Sequence, residues 1–144
     1  APAQLGASLA AARLSMDNGG SVVDQLAFAD FLEQGELDRH LRRVRPVYRA
    51  RRDALLEALR RHLPMLDPTG ASAGLHVLVW LPDGTDERAI VGASVGAGVG
   101  LNGVTKRWIA PGGRGGLIFG YGVIPERDIE PGIRTLSEAI TGLF

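Results

Sequence analysis

Few residues in this chain are of a kind that performs chemistry, and their spacing limits what they can do. The three histidines, His40, His62 and His76, fall on a predicted helix, a helix end and a strand. None has the close spacing of a metal site, so no metal is expected. His76, in an apolar strand, reads as a satisfied core or interface histidine. Cysteine is absent, which excludes disulfides, thiolate nucleophiles and Cys-ligated metals. Fifteen of the sixteen basic residues are arginine, so Lys106 is the only side chain able to form an imine. No base or phosphate cradle lies near it in sequence, and it reads as a surface lysine. Gly112-Gly113-Arg114-Gly115-Gly116 looks like a phosphate loop but leads into a strand instead of a helix, so a mobile hairpin loop is expected. Gly98-Val99-Gly100 precedes a strand, the reverse of a dinucleotide fingerprint. The residues contain no complete catalytic set.

Arginines from Arg39 to Arg61 crowd one stretch, and such a face can track phosphates. The same arginines stand at helical spacing from Glu36, Asp38, Asp53 and Glu57, which describes a solvated, partly paired helix face. Sixteen basic residues balance sixteen acidic ones in a chain of 144, so a dedicated nucleic-acid-binding domain is disfavoured. Zero net charge also weakens the defence against association. A hydrophobic content of 45% supports a real core. No apolar run approaches the roughly 20 residues that span a bilayer, and no leader pattern opens the chain. A cytoplasmic location is expected. The start at Ala1 in place of Met fits a piece of something longer.

The elements that must position these residues follow from periodicity. Gln4 to Leu14 is alanine-rich and reads as a helix that stops at Asp17-Asn18-Gly19-Gly20. Ser21 is an N-cap, Asp24 sits in the capping-box position, and Gly35 closes the second helix. Gly35 to Leu63 is the longest periodic stretch, with Leu37, Leu41, Val44, Tyr48, Leu55, Leu59 and Leu63 on one face. Pro46 interrupts it, and a kink or a break is expected there. Leu75 to Pro82 is the best strand signal, and Asp83-Gly84 is a turn. Asp86 or Thr85 caps a short helix from Glu87 to about Ala97. Val99 to Asn102 and Thr105 to Ile109 read as short strands around a bend, and Leu117 to Gly122 as a further strand. A final helix begins at Pro125 and presents Ile129, Ile133, Leu136 and Ile140 on one face. Segregated strands with helices on one face predict a two-layer α+β unit with a mainly antiparallel sheet of three or four strands.

Four segments in register resemble one family. Ser21 to Gly35 resembles the stretch S-x-x-x-Q-x-A-x-A-x-F-[LI]-x-x-G that follows the cofactor lysine in fold-type-I pyridoxal-phosphate aminotransferases. Asp38 to Arg45, with Tyr48 and Arg51-Arg52-Asp53-Ala54-Leu55, is similar to the H-[LIV]-R-[RK]-[MV]-R-x-x-Y-x-x-R-R-D-x-L helix of that family. Ala73-Gly74-Leu75-His76 resembles its G-G-L-H strand, and Leu117 to Leu136 its closing strand and helix. The likeness runs in order over the whole chain. Within the family it is nearest the MocR branch of GntR-type transcriptional regulators, in which a winged-helix DNA-binding domain precedes an aminotransferase-like body.

The resemblance implies the C-terminal small domain of that architecture at 64–144, a long interdomain helix at 35–63, and helices from the end of the large cofactor domain at 1–34. It implies a homodimer, pyridoxal 5'-phosphate in the full-length parent, a small amino-acid-like effector bound through the missing domain, and DNA contact only through a missing N-terminal domain. Ser21 would lie in the phosphate region of the neighbouring subunit, and Asn102, Arg114 and Tyr121 would face substrate or effector. The cofactor lysine, the aspartate facing the pyridine nitrogen and the main phosphate contacts would lie before Ala1, so the segment is not catalytically complete and none of its residues is assigned as catalytic. The family's closing strand reads L-R-L-x-[FY], its arginine clamping the substrate carboxylate; Ile118 stands there instead. This disfavours ordinary transamination and favours the regulator branch. Two alternatives remain: the C-terminal segment of a class I/II aminotransferase, or a stand-alone non-catalytic interaction domain.

Overall fold

The computed structural model describes residues 2–18, 20–70, 74–110 and 112–144. Gly19 of the expected turn, Ala73 of the expected glycine–leucine–histidine motif and Pro111 of the glycine loop lie outside the described residues, as do Ala1 and the side chain of Asp17. The chain divides into two compact units, residues 1–43 and 44–144.

In the first unit, a 3-10 turn at Ala3–Leu5 leads into α1 (Gly6–Asp17), which ends on Asn18 in the left-handed conformation at φ 54°. α2 (Val22–Glu33) starts at Ser21, whose hydroxyl accepts the Asp24 N–H at 3.2 Å, as the capping pattern predicts. It closes at Gly35, where φ is +69° and the N–H donates to Leu32 O. No residue of α2 is buried. Leu26, Phe28, Phe31 and Leu32 are exposed, with Phe28 and Phe31 stacked at 6.2 Å.

α3 (Glu36–His62) is one continuous helix. The alternative of a break at Pro46 is corrected: the proline is accommodated inside the helix, on an exposed position. The arginine face is paired in part along the helix, Arg39 with Glu36, Arg52 with Asp53, and Arg60 and Arg61 with Glu57. Such exposed pairs contribute little each. Leu55, Ala58 and Leu59, on the opposite face, are buried.

The second unit adds β1 (Asp67–Thr69), β2 (His76–Trp80), α4 (Glu87–Gly96), β3 (Asn102–Gly103), β4 (Gly116–Gly120) and α5 (Glu126–Ala139). The strands form one antiparallel sheet in the order β1-β2-β4-β3. Val77, Val79, Leu117 and Phe119 point to one face and join Leu55, Leu59, Ile90, Ile129, Ile133 and Leu136 in the core. Burying each such side chain fully is worth about 1.5–3 kcal/mol. The other face carries the cross-strand row Thr69, Leu78, Ile118 and Asn102. The α+β fold with helices against one sheet face is the one expected.

Three local expectations change. β1 was not legible, because Asp67-Pro68-Thr69 has no periodicity; its proline is tolerated because the strand is an edge. Thr105 to Arg107 forms a 3-10 turn in place of a strand, since the Glu87 side chain captures the N–H groups of Val104 and Thr105 at its start. His76 is exposed on the open sheet face and is not a core residue.

Candidate functional site

The polar centre of the second unit is Glu87, a residue with no sequence signal beyond its place in a helix. Asp86 caps α4 by accepting the N–H groups of Arg88 and Ala89 at 2.8 and 3.2 Å. That fixes Glu87 at the first helical position, with its side chain turned inward and 7% exposed. Its carboxylate accepts the N–H of Gly116 at 2.9 Å, of Val104 at 3.1 Å and of Thr105 at 3.1 Å, and the Thr105 hydroxyl at 2.5 Å. Burial pushes this carboxyl up, but the Thr105 hydroxyl and the three backbone donors together hold it below the ordinary glutamate value. The arrangement is a clip, joining α4 to both ends of the β3–β4 connection. Gly103 completes it, because a Cβ there would collide with Glu87 Oε1.

Two of the residues expected to face an effector lie here, Asn102 on β3 and Arg114 on the β3–β4 connection. Asn102 is exposed on β3, directly across from Ile118. It lines a cleft with Arg88, Lys106 and Arg107. Arg114 is held in place: its Nε donates to Leu81 O at 3.1 Å and its guanidinium lies 5.7 Å from the Trp80 ring. Trp108 donates its indole N–H to Arg114 O at 3.2 Å and packs against Gly113. The glycine loop expected to be a mobile hairpin is therefore anchored at Gly113 and Arg114. Tyr121 is 3% exposed in the core, and its hydroxyl donates to Gly74 O at 2.7 Å. Ser21 belongs to the first unit, where its hydroxyl oxygen caps α2.

Sequence reasoning passed over Arg107. It sits on the 3-10 turn, lines the cleft with Asn102 and also lines a depression on the open sheet face with His76, Leu78 and Ile118. Only its place in a basic run, Lys106-Arg107, could have drawn attention to it.

The residues present do not make a pyridoxal-phosphate cradle by themselves. Lys106 is exposed on the turn beside Arg107, and no described carboxylate is placed for a pyridine nitrogen beside it; Glu87, which lines the same cleft, is committed to its four donors. Among the described residues no group of three histidine, aspartate or glutamate side chains could hold a metal ion, and no helix is long and apolar enough to cross a membrane.

The sheet and its three covering helices are those of fold-type-I aminotransferases. The crystal structure of LysN, α-aminoadipate aminotransferase from Thermus thermophilus, superposes with a TM-score of 0.86 at 27% identity, covering 97% of this chain and 36% of that one. Within that class, the chain matches a C-terminal aminotransferase-like segment of a MocR-type regulator. It is 37% identical over 120 residues to an uncharacterized HTH-type transcriptional regulator, YhdI, of Bacillus subtilis (strain 168), covering 83% of this chain and 26% of the relative. It is 28% identical over 124 residues to the probable rhizopine catabolism regulatory protein MocR of Rhizobium meliloti, covering 85% of this chain and 25% of the relative. The chain thus spans about a quarter of the length of these regulators. No family model matches it.

Proposed function

We propose that this chain is the part of a MocR/GntR-type regulator that closes over a small effector and helps to hold two copies together. The observation that carries this reading is the likeness to two HTH-type regulators combined with Ile118 at the closing-strand position where aminotransferases place a carboxylate-binding arginine. An isoleucine cannot hold a carboxylate as that arginine does, so the fold serves recognition here instead of turnover. Pyridoxal phosphate belongs to the rest of the parent, which supplies the lysine; bound there, it offers an electrophilic carbonyl to amino groups. This chain contributes the sheet that closes over it, with Asn102 on the open face and Arg114 at its rim. Tyr121 serves the core, since its hydroxyl is used internally. Ser21 approaches the phosphate of a partner subunit only in the assembled dimer. DNA is reached through a winged-helix domain elsewhere in the parent, and closure over the effector shifts the regulator between its DNA-bound and free states.

Two measurements test this. The sequence preceding the chain should encode a winged helix and a linker; a plain aminotransferase start would transfer the assignment to a transaminase, the reading favoured by the likeness to LysN. Added pyridoxal phosphate, trapped with borohydride, should leave no adduct on Lys106 in mass spectra of this chain. A stoichiometric adduct there would show a complete site on the segment.

A further inference from the structure

The helix-covered side of the sheet holds a hollow of its own. It lies among α3, α5 and the end of β4, where Leu55, Phe119, Ile129 and Ile133 form its walls. It shares no lining residue with the cleft beside Asn102 or with the depression on the open sheet face. Its volume is about 70 Å³. A cavity of roughly 150 Å³ holds a benzene ring, so this one has room for a short aliphatic group and not for an aromatic ring.

Three glycines open the hollow, Gly100, Gly120 and Gly132. Gly132 stands inside α5, three residues after Ile129 and four before Leu136, and so on the buried face of that helix. Glycine weakens a helix interior relative to alanine, and a close neighbour is the usual reason for it on a packed face. Here a Cβ would meet nothing within 4 Å beyond its chain neighbours and the backbone of its own helix. A Cβ at Gly100 would also meet nothing within 4 Å. No described neighbour demands either glycine; what their missing side chains provide is space.

The mouth carries a single charge. Among the described residues that line the hollow, Asp128 is the only one with a charged side chain, and the Tyr121 hydroxyl already donates to Gly74 O. Arg127 Nε lies 3.8 Å from Asp128 Oδ1, but both side chains are more than half exposed, so the pair is weak and leaves the carboxylate able to accept a further donor. An apolar hollow with one carboxylate at its mouth suits an aliphatic group that ends in a cation. A carboxylate ligand would be repelled by Asp128, and a plain hydrocarbon would leave it unused.

We propose that this hollow binds a short, branched aliphatic amine in its ammonium form. The branched carbon end fills the space beside Gly100 and Gly132, and the ammonium donates to Asp128. The site stands apart from the regulator reading, since neither requires the other.

The test is a titration of the full chain, isotope-labelled at its methyl groups, with 2-methylpropylamine at neutral pH and constant ionic strength. The alcohol 2-methylpropan-1-ol serves as the neutral isostere, and methylamine as the cation without a body. The methyl resonances of Leu55, Ile129 and Ile133 should shift and saturate with the amine, and the alcohol and methylamine should bind at least about tenfold more weakly. Asp128→Asn should bring the amine down to the level of the alcohol; because Asp128 is exposed, its replacement should preserve the circular dichroism spectrum. Gly132→Ala should raise the urea midpoint, since alanine is the better helix former, yet weaken the amine by at least about fivefold, since its methyl takes up the space. Equal binding of amine and alcohol, an unaffected Asp128→Asn, or the absence of a saturable methyl shift overturns the proposal. So does a lower urea midpoint for Gly132→Ala, which would show a close neighbour at that glycine. None of these outcomes touches the regulator reading, which is decided by the preceding sequence and by Lys106.

Discussion

Glu87 joins three parts of the chain that are distant in sequence, since its acceptor oxygens meet donors 17, 18 and 29 residues away. Its folded carboxyl value is lowered, so it binds a proton less readily in the native state than in the unfolded chain. The stabilisation it gives is therefore fully present above the unfolded glutamate value and is lost as pH falls through the folded value. Glu87→Gln should cost about 1–3 kcal/mol in urea denaturation at neutral pH, because a donor NH2 replaces one of the two charged acceptor oxygens and faces donors. The loss should shrink in acid, where the native glutamate also protonates; a pH-independent loss would show that shape, not charge, holds the clip. Gly103→Ala should destabilise by a similar amount, since its Cβ would collide with the carboxylate. In a Glu87→Ala background the same substitution should cost much less, a non-additivity that denaturant melts of the four variants would measure. At this scale the sequence revealed the cap, Asp86, but not the clip. A cap acts within one turn, whereas the partners of Glu87 are brought to it only by the crossover from β3 to β4.

α3 shows what periodicity reads well and where it stops. The apolar spacing found the helix and its buried face, and Leu55 and Leu59 are buried as that spacing requires. The effect of Pro46 could not be settled from spacing, because a proline removes one hydrogen bond and crowds one carbonyl, and whether the helix survives depends on the turns to either side. Here it survives unbroken. Pro46→Ala should return a donor to the carbonyl of Arg42 and raise stability by about 1–3 kcal/mol, read as a higher urea midpoint with an unchanged slope. A loss of stability would mean that the ring makes contacts worth more than the missing bond. The strands follow the same division. β2 and β4 are apolar and β-branched enough to be seen, whereas β1 is three residues long, includes a proline and exists because β2 offers it an edge. Thr105 to Arg107 had strand character in sequence, but the Thr105 N–H turns to Glu87 and the Arg107 N–H to Val104 O.

At the level of the whole molecule, the two units differ in how much apolar surface they enclose. The second has a continuous core from Leu55 to Ile140. In the first, Leu9, Leu14, Met16, Val23, Leu26 and Phe28 are each more than half exposed. Exposed large apolar side chains on a chain of zero net charge favour association. The chain should therefore form dimers or larger species at high concentration in light scattering, and Leu26→Glu with Phe28→Glu should return it to a monomer. A clean monomer for the unsubstituted chain would mean that these helices need no cover. The sequence by itself determined the helices, the two central strands and the motif register that ties this chain to aminotransferase-like regulators, because each depends on spacing within one or two turns or on residues in order. Tertiary structure alone decided the Glu87 clip, the fixing of Arg114 on Trp80, the enclosure of Tyr121 and the placing of Arg107 beside Leu78 and Ile118. Those contacts join residues far apart in the chain, and no local pattern encodes which distant donor or which sheet face a side chain will meet.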